Sequence, residues 1–274
     1  MKTILITGGT NGLGKGIALY YLKNGDRVIV VGNSIENGNS FCAEAKILGM
    51  EERAIFIQAN LSLIKENQRL IYEIKERFSS LDIMVFCAAK HNKKYTETAE
   101  GFESTFVLAY LSRFILSYGL KDNLEKSDTP IIFNICGTGM KGDVNWNDLQ
   151  FKNSFVPMNV MMHGSRLNDL LGVEFSKNDN VGKIKYILYN PMAVNTPGMM
   201  EIASYSIKLV YKIIGKSVEK AILPISELLD NPPKLNLSVY KEKKPLNLSL
   251  PTYNKENAKR LYEISNKIIS ELKQ

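Results

Sequence analysis

The chain has 274 residues, 45% of them hydrophobic and 23% charged, enough apolar material to bury a sizeable core and too much for a disordered or collagen-like chain. Lysine and arginine number 35 against 28 aspartate and glutamate, a formal charge of +7 that suits anionic ligands such as a phosphate-bearing cofactor; no basic stripe with interleaved aromatics is present, which argues against nucleic acid. Cys42, Cys87 and Cys136 are too few and too scattered for a disulfide framework or a zinc site, and no metal site is expected. Ile4-Leu5-Ile6 runs straight into glycines where a signal peptide would continue, and no stretch of about 18 apolar residues exists to span a bilayer. A soluble cytoplasmic protein with free thiols is expected.

Thr3 to Thr7 form a β-branched run that stops at Gly8-Gly9, and a helical pattern follows from Gly12 through Tyr21. The theme recurs: strands at Arg27 to Val31, Ala54 to Gln58 and Leu81 to Phe86 alternate with helices at Glu36 to Leu48 and Ile64 to Phe78. A helix from about Gly101 to Tyr118, a strand at Ile131 to Ile135, a helix from about Val156 to Phe175 and a strand at Ile184 to Tyr189 continue it. Strands this apolar are covered by helices on both faces, which predicts an α/β fold, a single doubly wound parallel sheet over residues 1–274. Two segments break the rhythm: 137–154, a polar loop carrying Trp146, and 191–215, rich in methionine; both are candidate borders of a substrate pocket. The Lys- and Pro-rich run 234–251 is expected to cross the surface before a terminal helix from Asn254 to Leu272.

In Thr7-Gly8-Gly9-Thr10-Asn11-Gly12-Leu13-Gly14 the glycines permit a tight turn and close backbone approach, and the helix that follows offers unpaired amides and a positive dipole end to a pyrophosphate. The turn lies between the first strand and first helix of an alternating pattern, which is the context a Rossmann-type dinucleotide site requires. The chain resembles the short-chain dehydrogenase/reductase family, whose Thr-Gly-x-x-x-Gly-x-Gly fingerprint matches Thr7, Gly8, Gly12 and Gly14. Gly101-Phe102-Glu103-Ser104-Thr105-Phe106, Trp146-Asn147-Asp148-Leu149, Ser165-Arg166-Leu167-Asn168 and Lys259-Arg260-Leu261-Tyr262-Glu263-Ile264-Ser265 are similar to signposts of its retinol-dehydrogenase and protochlorophyllide-reductase branch.

The resemblance implies a nicotinamide dinucleotide, held by Gly8, Thr10, Asn11, Gly12, Leu13 and Gly14 at the phosphates and by Asn60 and Leu61 at the adenine. Cys87, Ala88, Ala89, Pro191, Val194 and Thr196 would lie along its nicotinamide half. After the second strand the chain offers Gly32-Asn33-Ser34, with neither the carboxylate that would repel a 2′-phosphate nor the arginine that would welcome it. NADP(H) is favoured, with Asn33 and Ser34 as donors to the phosphate, and NAD(H) is the alternative.

The family's reaction uses a tyrosine acid, a lysine that lowers its pKa and holds the ribose, a serine that hydrogen-bonds the substrate oxygen, and an asparagine supporting a water relay. Register places Met162 at the tyrosine, Arg166 at the lysine, Gly137 at the serine and Ala109 at the asparagine. Arg166 is a candidate for holding the ribose or a substrate carboxylate, but its pKa is too high for useful proton donation. Thr138 is the candidate hydroxyl donor in place of the serine, ahead of Cys136 as a nucleophile, and His163 is a weaker candidate acid. Two functions follow. One is an atypical oxidoreductase acting on an activated carbonyl, imine or double bond of a small, apolar molecule; the other is a catalytically silent relative that keeps the cofactor and serves as a partner in an assembly. Relatives pair through the two long helices, so a homodimer or homotetramer through 101–118 and 156–175 is expected.

Overall fold

The strands are short: seven consist of four to six mostly apolar or β-branched residues closed by a glycine or polar stop, and the last is a two-residue Lys-Pro return. In a computed structural model that describes residues 1–90, 92–140, 142–179, 182–196 and 215–272, they join one sheet of order β3-β2-β1-β4-β5-β6-β7-β8. Its first half comprises β1 (Thr3–Thr7), α1 (Gly12–Lys23), β2 (Arg27–Gly32), α2 (Ile35–Ile47), β3 (Ala54–Gln58), α3 (Ile64–Arg77) and β4 (Ile83–Phe86). The chain continues through α4 (Ser104–Phe106), a π turn (Val107–Leu111), α5 (Ser112–Gly119), α6 (Lys121–Glu125), β5 (Ile131–Ile135), α7 (Pro157–Asn178) and β6 (Lys185–Asn190). It ends with α8 (Val218–Asp230), β7 (Leu237–Lys241), β8 (Lys244–Pro245) and α9 (Lys255–Glu271). Seven strands run parallel, and β8 folds back antiparallel on β7.

Alternation sorts the core. Ile4, Ile6, Val28 and Val30 face α1, α2 and α8, while Leu5, Ile29, Val31, Met84 and Phe86 face α3, α5 and α7. The order reverses at β1 between β2 and β4, which opens a crevice beyond the strands' carboxyl ends. Thr7 is in register with Val31 and Phe86, and Phe86 with Asn134, so these ends form one ledge.

Three features depart from the sequence-based expectation. The run 234–251 contains a seventh strand, whose Ser238 and Val239 are buried beside β6. Helix α8 was not expected; Ser217 caps it through Lys220 N, and Pro224 lies inside it. The helix expected from Gly101 starts at Ser104, where the buried Glu103 carboxylate accepts from Phe106 N at 2.6 Å. Glu103 N in turn donates to Gln150 Oε1 at 2.9 Å, fastening the 137–154 loop to α4. The methionine-rich stretch at 199–214 lies outside the described residues.

Helix α9 packs along α7 and α5: Tyr262 meets Phe114 and Tyr118, and Tyr110 and Ser265 share a 2.6 Å hydrogen bond. Part of the surface through which pairing was expected is thus occupied by the chain's own terminal helix. Among the described residues, no helix is long and apolar enough to cross a membrane, and no three His, Cys, Asp or Glu side chains are grouped to hold a metal.

Candidate active site

The glycine turn is a cradle in which side chains have no room. Gly8 has φ +66°, its N donates to Val31 O at 2.8 Å, and a Cβ there would lie 2.8 Å from Ala88 N and Cα. A Cβ on Gly14 would lie 2.3 Å from Gly8 O, so the first turn of α1 rests directly on the loop. Asn11 caps α1, its Oδ1 accepting from Gly12 N at 2.7 Å, and Leu13 is buried in the core. Thr10 fits because β2 ends in glycine: a Cβ on Gly32 would lie 2.8 Å from Thr10 Oγ1. The stretch after β6 returns to this cradle. Val194 is buried, and the Thr196 side chain lies 3.3 Å from the Cβ position of Gly12, whereas Pro191 lies half-buried directly beyond β6. Thr7 O accepts from Cys87 N at 3.0 Å, which holds Cys87, Ala88 and Ala89 beside the turn.

Past the carboxyl ends of β2 and β3 lies a cavity of about 620 Å³, lined by Asn33, Gln58, Asn60, Leu63, Arg69 and the carboxylates Glu66 and Glu73. Asn33 is exposed, and its O accepts from Gln58 Nε2 at 3.2 Å. The Ser34 hydroxyl is engaged as the cap of α2, accepting from Asn37 N at 3.1 Å. Asn60 Oδ1 accepts from Ser62 Oγ at 2.6 Å, and Leu61 is buried beneath. Cradle and cavity together fit a dinucleotide laid across the crevice.

Where the nicotinamide half was expected, Gly137 and Arg166 are in contact, Ala109 is tied to α7 through Asn168, Met162 lies one turn before Arg166 on α7, and the polar neighbours of these positions are tied to one another. Ala109 lies in the π turn, and its O accepts from Asn168 Nδ2 at 2.8 Å. Asn168 Oδ1 accepts from Asn134 Nδ2 at 2.9 Å, and Asn134 Oδ1 accepts from Arg113. Arg113 also donates to Ile135 O at 2.8 Å and to Ala88 O at 3.2 Å, stapling the ends of β4 and β5. Arg166 is only 2% exposed; it donates to Gly137 O at 2.9 Å and to Met140 O, and pairs with Asp169 at 2.9 Å. Thr138 is fully buried, donating to Asp169 Oδ1 at 2.5 Å and lying 2.9 Å from Tyr253 OH. Thr252 Oγ1 donates to Asp169 Oδ2 at 2.6 Å. Burial pushes the Asp169 carboxyl up to about 6, against the opposing pull of Arg166 and the two threonine hydroxyls.

Arg113, Asp169 and Tyr253 were not anticipated. The spacing Met162, Arg166, Asp169 is i, i+4, i+7, one helix face, and that signal was available. Cys87 and Cys136 are free thiols, each pushed up to about 12 by burial, so neither is a thiolate near neutrality. His163 is buried edge-on against Phe151 at 5.0 Å, and desolvation lowers its pKa to about 4. At neutral pH its imidazole therefore has no second proton to donate.

The lowered histidine makes acid stability testable. Unfolded His163 protonates near 6.5 and native His163 near 4, so its contribution is complete above 6.5 and lost as pH falls through that window. Between about pH 7 and pH 5 the wild type should lose about 2 kcal/mol more than His163→Phe, measured by urea titration at both pH values.

The profile described as short chain dehydrogenase matches residues 2–147. Human polyprenol dehydrogenase is 24% identical over 161 residues, 57% of this chain and about half (49%) of that protein's length. Mouse retinol dehydrogenase 12 is 23% identical over 275 residues, 96% of this chain and 85% of its own. The solved Pseudomonas aeruginosa RhlG/NADP complex superposes with a TM-score of 0.68 at 19% identity, covering 88% of this chain and 94% of that one. With the glycine cradle, the reversal of strand order at β1 and a matched profile spanning more than half its length, the chain belongs to the short-chain dehydrogenase family, with a retinol dehydrogenase among its relatives.

Proposed function

We propose that the chain binds NADP(H), with NAD(H) as the weaker ligand, and moves hydride to or from an apolar small molecule whose reacting group needs little help from a protein acid. The observation that carries this reading is the cradle: Gly8 and Gly14 approach backbone so closely that only glycine fits, which is the geometry a pyrophosphate needs. Arg69 lines the same cavity as Asn33, but its guanidinium is held by Glu66, Glu73 and Gln58 O, so the preference for NADP(H) rests on the absence of a carboxylate in Gly32-Asn33-Ser34. Met162 at the acid position, Met140 beside Gly137 and the exposed Met192 give the nicotinamide end an apolar, adaptable border. The names of the polyprenol and retinol dehydrogenases are consistent with a long apolar alcohol or aldehyde. General acid catalysis supplies about 10²- to 10⁴-fold, so hydride transfer in good geometry survives its loss at a reduced rate.

A catalytically silent role is the second reading, supported by the internal pairing of Arg166, Thr138 and the Ala109 carbonyl. Titration with NADPH and NADH, followed by energy transfer from Trp146 and by melting temperature, tests the shared premise. NADPH is expected to bind at least about tenfold more tightly than NADH, and at about 100 times its Kd to stabilise the fold by about 2.7 kcal/mol. Binding of neither nucleotide would overturn both readings. Arg166→Ala in a screen of carbonyl, imine and enone acceptors then separates them: turnover that depends on Arg166 supports the oxidoreductase.

A further inference from the structure

Gly137 leaves a gap, and a side chain from another element fills it. A Cβ built on Gly137 would lie 2.6 Å from Ser165 Oγ and 2.9 Å from Met140 Sδ. By register this is where the family carries the strand serine whose hydroxyl holds the substrate oxygen. We propose that Ser165, on α7, supplies that hydroxyl, so that the donor has moved from the strand to the helix beside it. This rests on the oxidoreductase reading.

Three observations support the assignment. Among the described residues the Ser165 hydroxyl is bonded only to Met161 O, one helical turn back, at 3.2 Å, a long local bond from which the O–H can rotate to a better acceptor. Thr138, the hydroxyl next to Gly137 in the chain, is engaged by both Asp169 and Tyr253. Arg166, the next residue along α7, binds the carbonyls of Gly137 and Met140 and keeps that loop pressed onto the helix, within reach of Ser165. In reduction, hydride adds to the carbonyl carbon, the π pair moves onto oxygen, and the oxygen takes its proton from water. Ser165, only 8% exposed, keeps its own proton and stabilises the growing negative charge by hydrogen bonding.

The test uses the purified full chain with NADPH and three probes, all-trans-retinal, cyclohexanone and phenanthrenequinone, and follows loss of NADPH absorbance. Alanine is favourable inside a helix, so Ser165→Ala is expected to fold and to bind NADPH as the wild type does. Its kcat should fall about 10²-fold on the best probe with KM little changed. The double variant Gly137→Ser/Ser165→Ala returns the hydroxyl to the strand into space vacated by Ser165, and should recover most of that loss. Wild-type turnover that Ser165→Ala leaves intact would overturn the assignment while the oxidoreductase reading stands. A loss that the double variant does not recover would assign the effect to helix packing and also overturn it. Failure of the wild type to oxidise NADPH with any probe overturns both.

Discussion

Gly14→Val should melt at least about 10 °C below the wild type and bind no dinucleotide. The Cβ position of Gly14 lies 2.3 Å from the carbonyl oxygen of Gly8 and 2.9 Å from its carbonyl carbon, both main-chain atoms that no rotamer change can move. Overpacking against flexible side chains costs about 1–3 kcal/mol, and displacing backbone should exceed that range. In a chain of this size each kcal/mol lowers the melting temperature by about 2–4 °C. Binding should fail separately from stability, because relief of the clash lifts the turn away from the helix that presents its amides to the phosphates. Calorimetry and NADPH titration well below the variant's own Tm separate the two effects. A variant that melts lower but binds normally would show that the close approach of Gly8 and Gly14 serves packing alone.

Asp169→Ala should cost about 3–5 kcal/mol, because it leaves the buried Arg166 guanidinium without its counter-charge and removes the acceptor of both Thr138 and Thr252. Asp169→Asn exposes the pH dependence. Because burial raises the native carboxyl to about 6 from 3.8, the folded protein takes up this proton before the unfolded chain does. The wild type therefore gains stability relative to Asp169→Asn as pH falls from about 6 to about 4, and loses that gain as pH rises. Chemical denaturation of both proteins at about pH 5 and pH 7 measures it, and an equal pH response in the two would show that Asp169 titrates normally. His163 acts in the opposite direction but is common to both proteins, so its effect cancels.

Strand and helix alternation through Ile135 was legible because each strand is a short apolar run closed by glycine or polar residues, and the helices between them are amphipathic. Beyond β6 the signal weakened. In Leu237-Ser238-Val239-Tyr240-Lys241 the alternation is brief and lies among lysines and prolines, so composition obscured a strand whose burial comes from β6 and α7. The π turn at Val107–Leu111 has no sequence signature, since it is decided by how Ala109 meets Asn168 across to α7. The candidate site was legible where it depends on backbone: the tight turn and close approach expected at Gly8, Gly12 and Gly14 follow from what these residues lack. Ser165 was invisible in that role, because the space it fills belongs to a residue 28 positions earlier and exists only once β5 packs beside α7. The pairing of Thr138 and Asp169 with Thr252 and Tyr253 was hidden for the same reason, with 83 to 115 residues between partners.

The two outer margins of the sheet bear on how the protein can associate. Beyond β7 the strand β8 is two residues long and ends in Pro245, which has no N–H to offer an incoming strand. On the opposite margin the last carbonyl of β3, Gln58 O, already accepts from Arg69 Nη2 at 2.6 Å. Pro245 therefore blunts the β8 end of the ladder against strand addition, the route by which exposed sheets recruit foreign peptides or polymerise, while at the β3 margin an incoming strand would find the Gln58 carbonyl already taken. Continuation of the sheet from chain to chain is disfavoured on the β8 side, where a partner or a second copy is left with helix and loop surfaces to recognise.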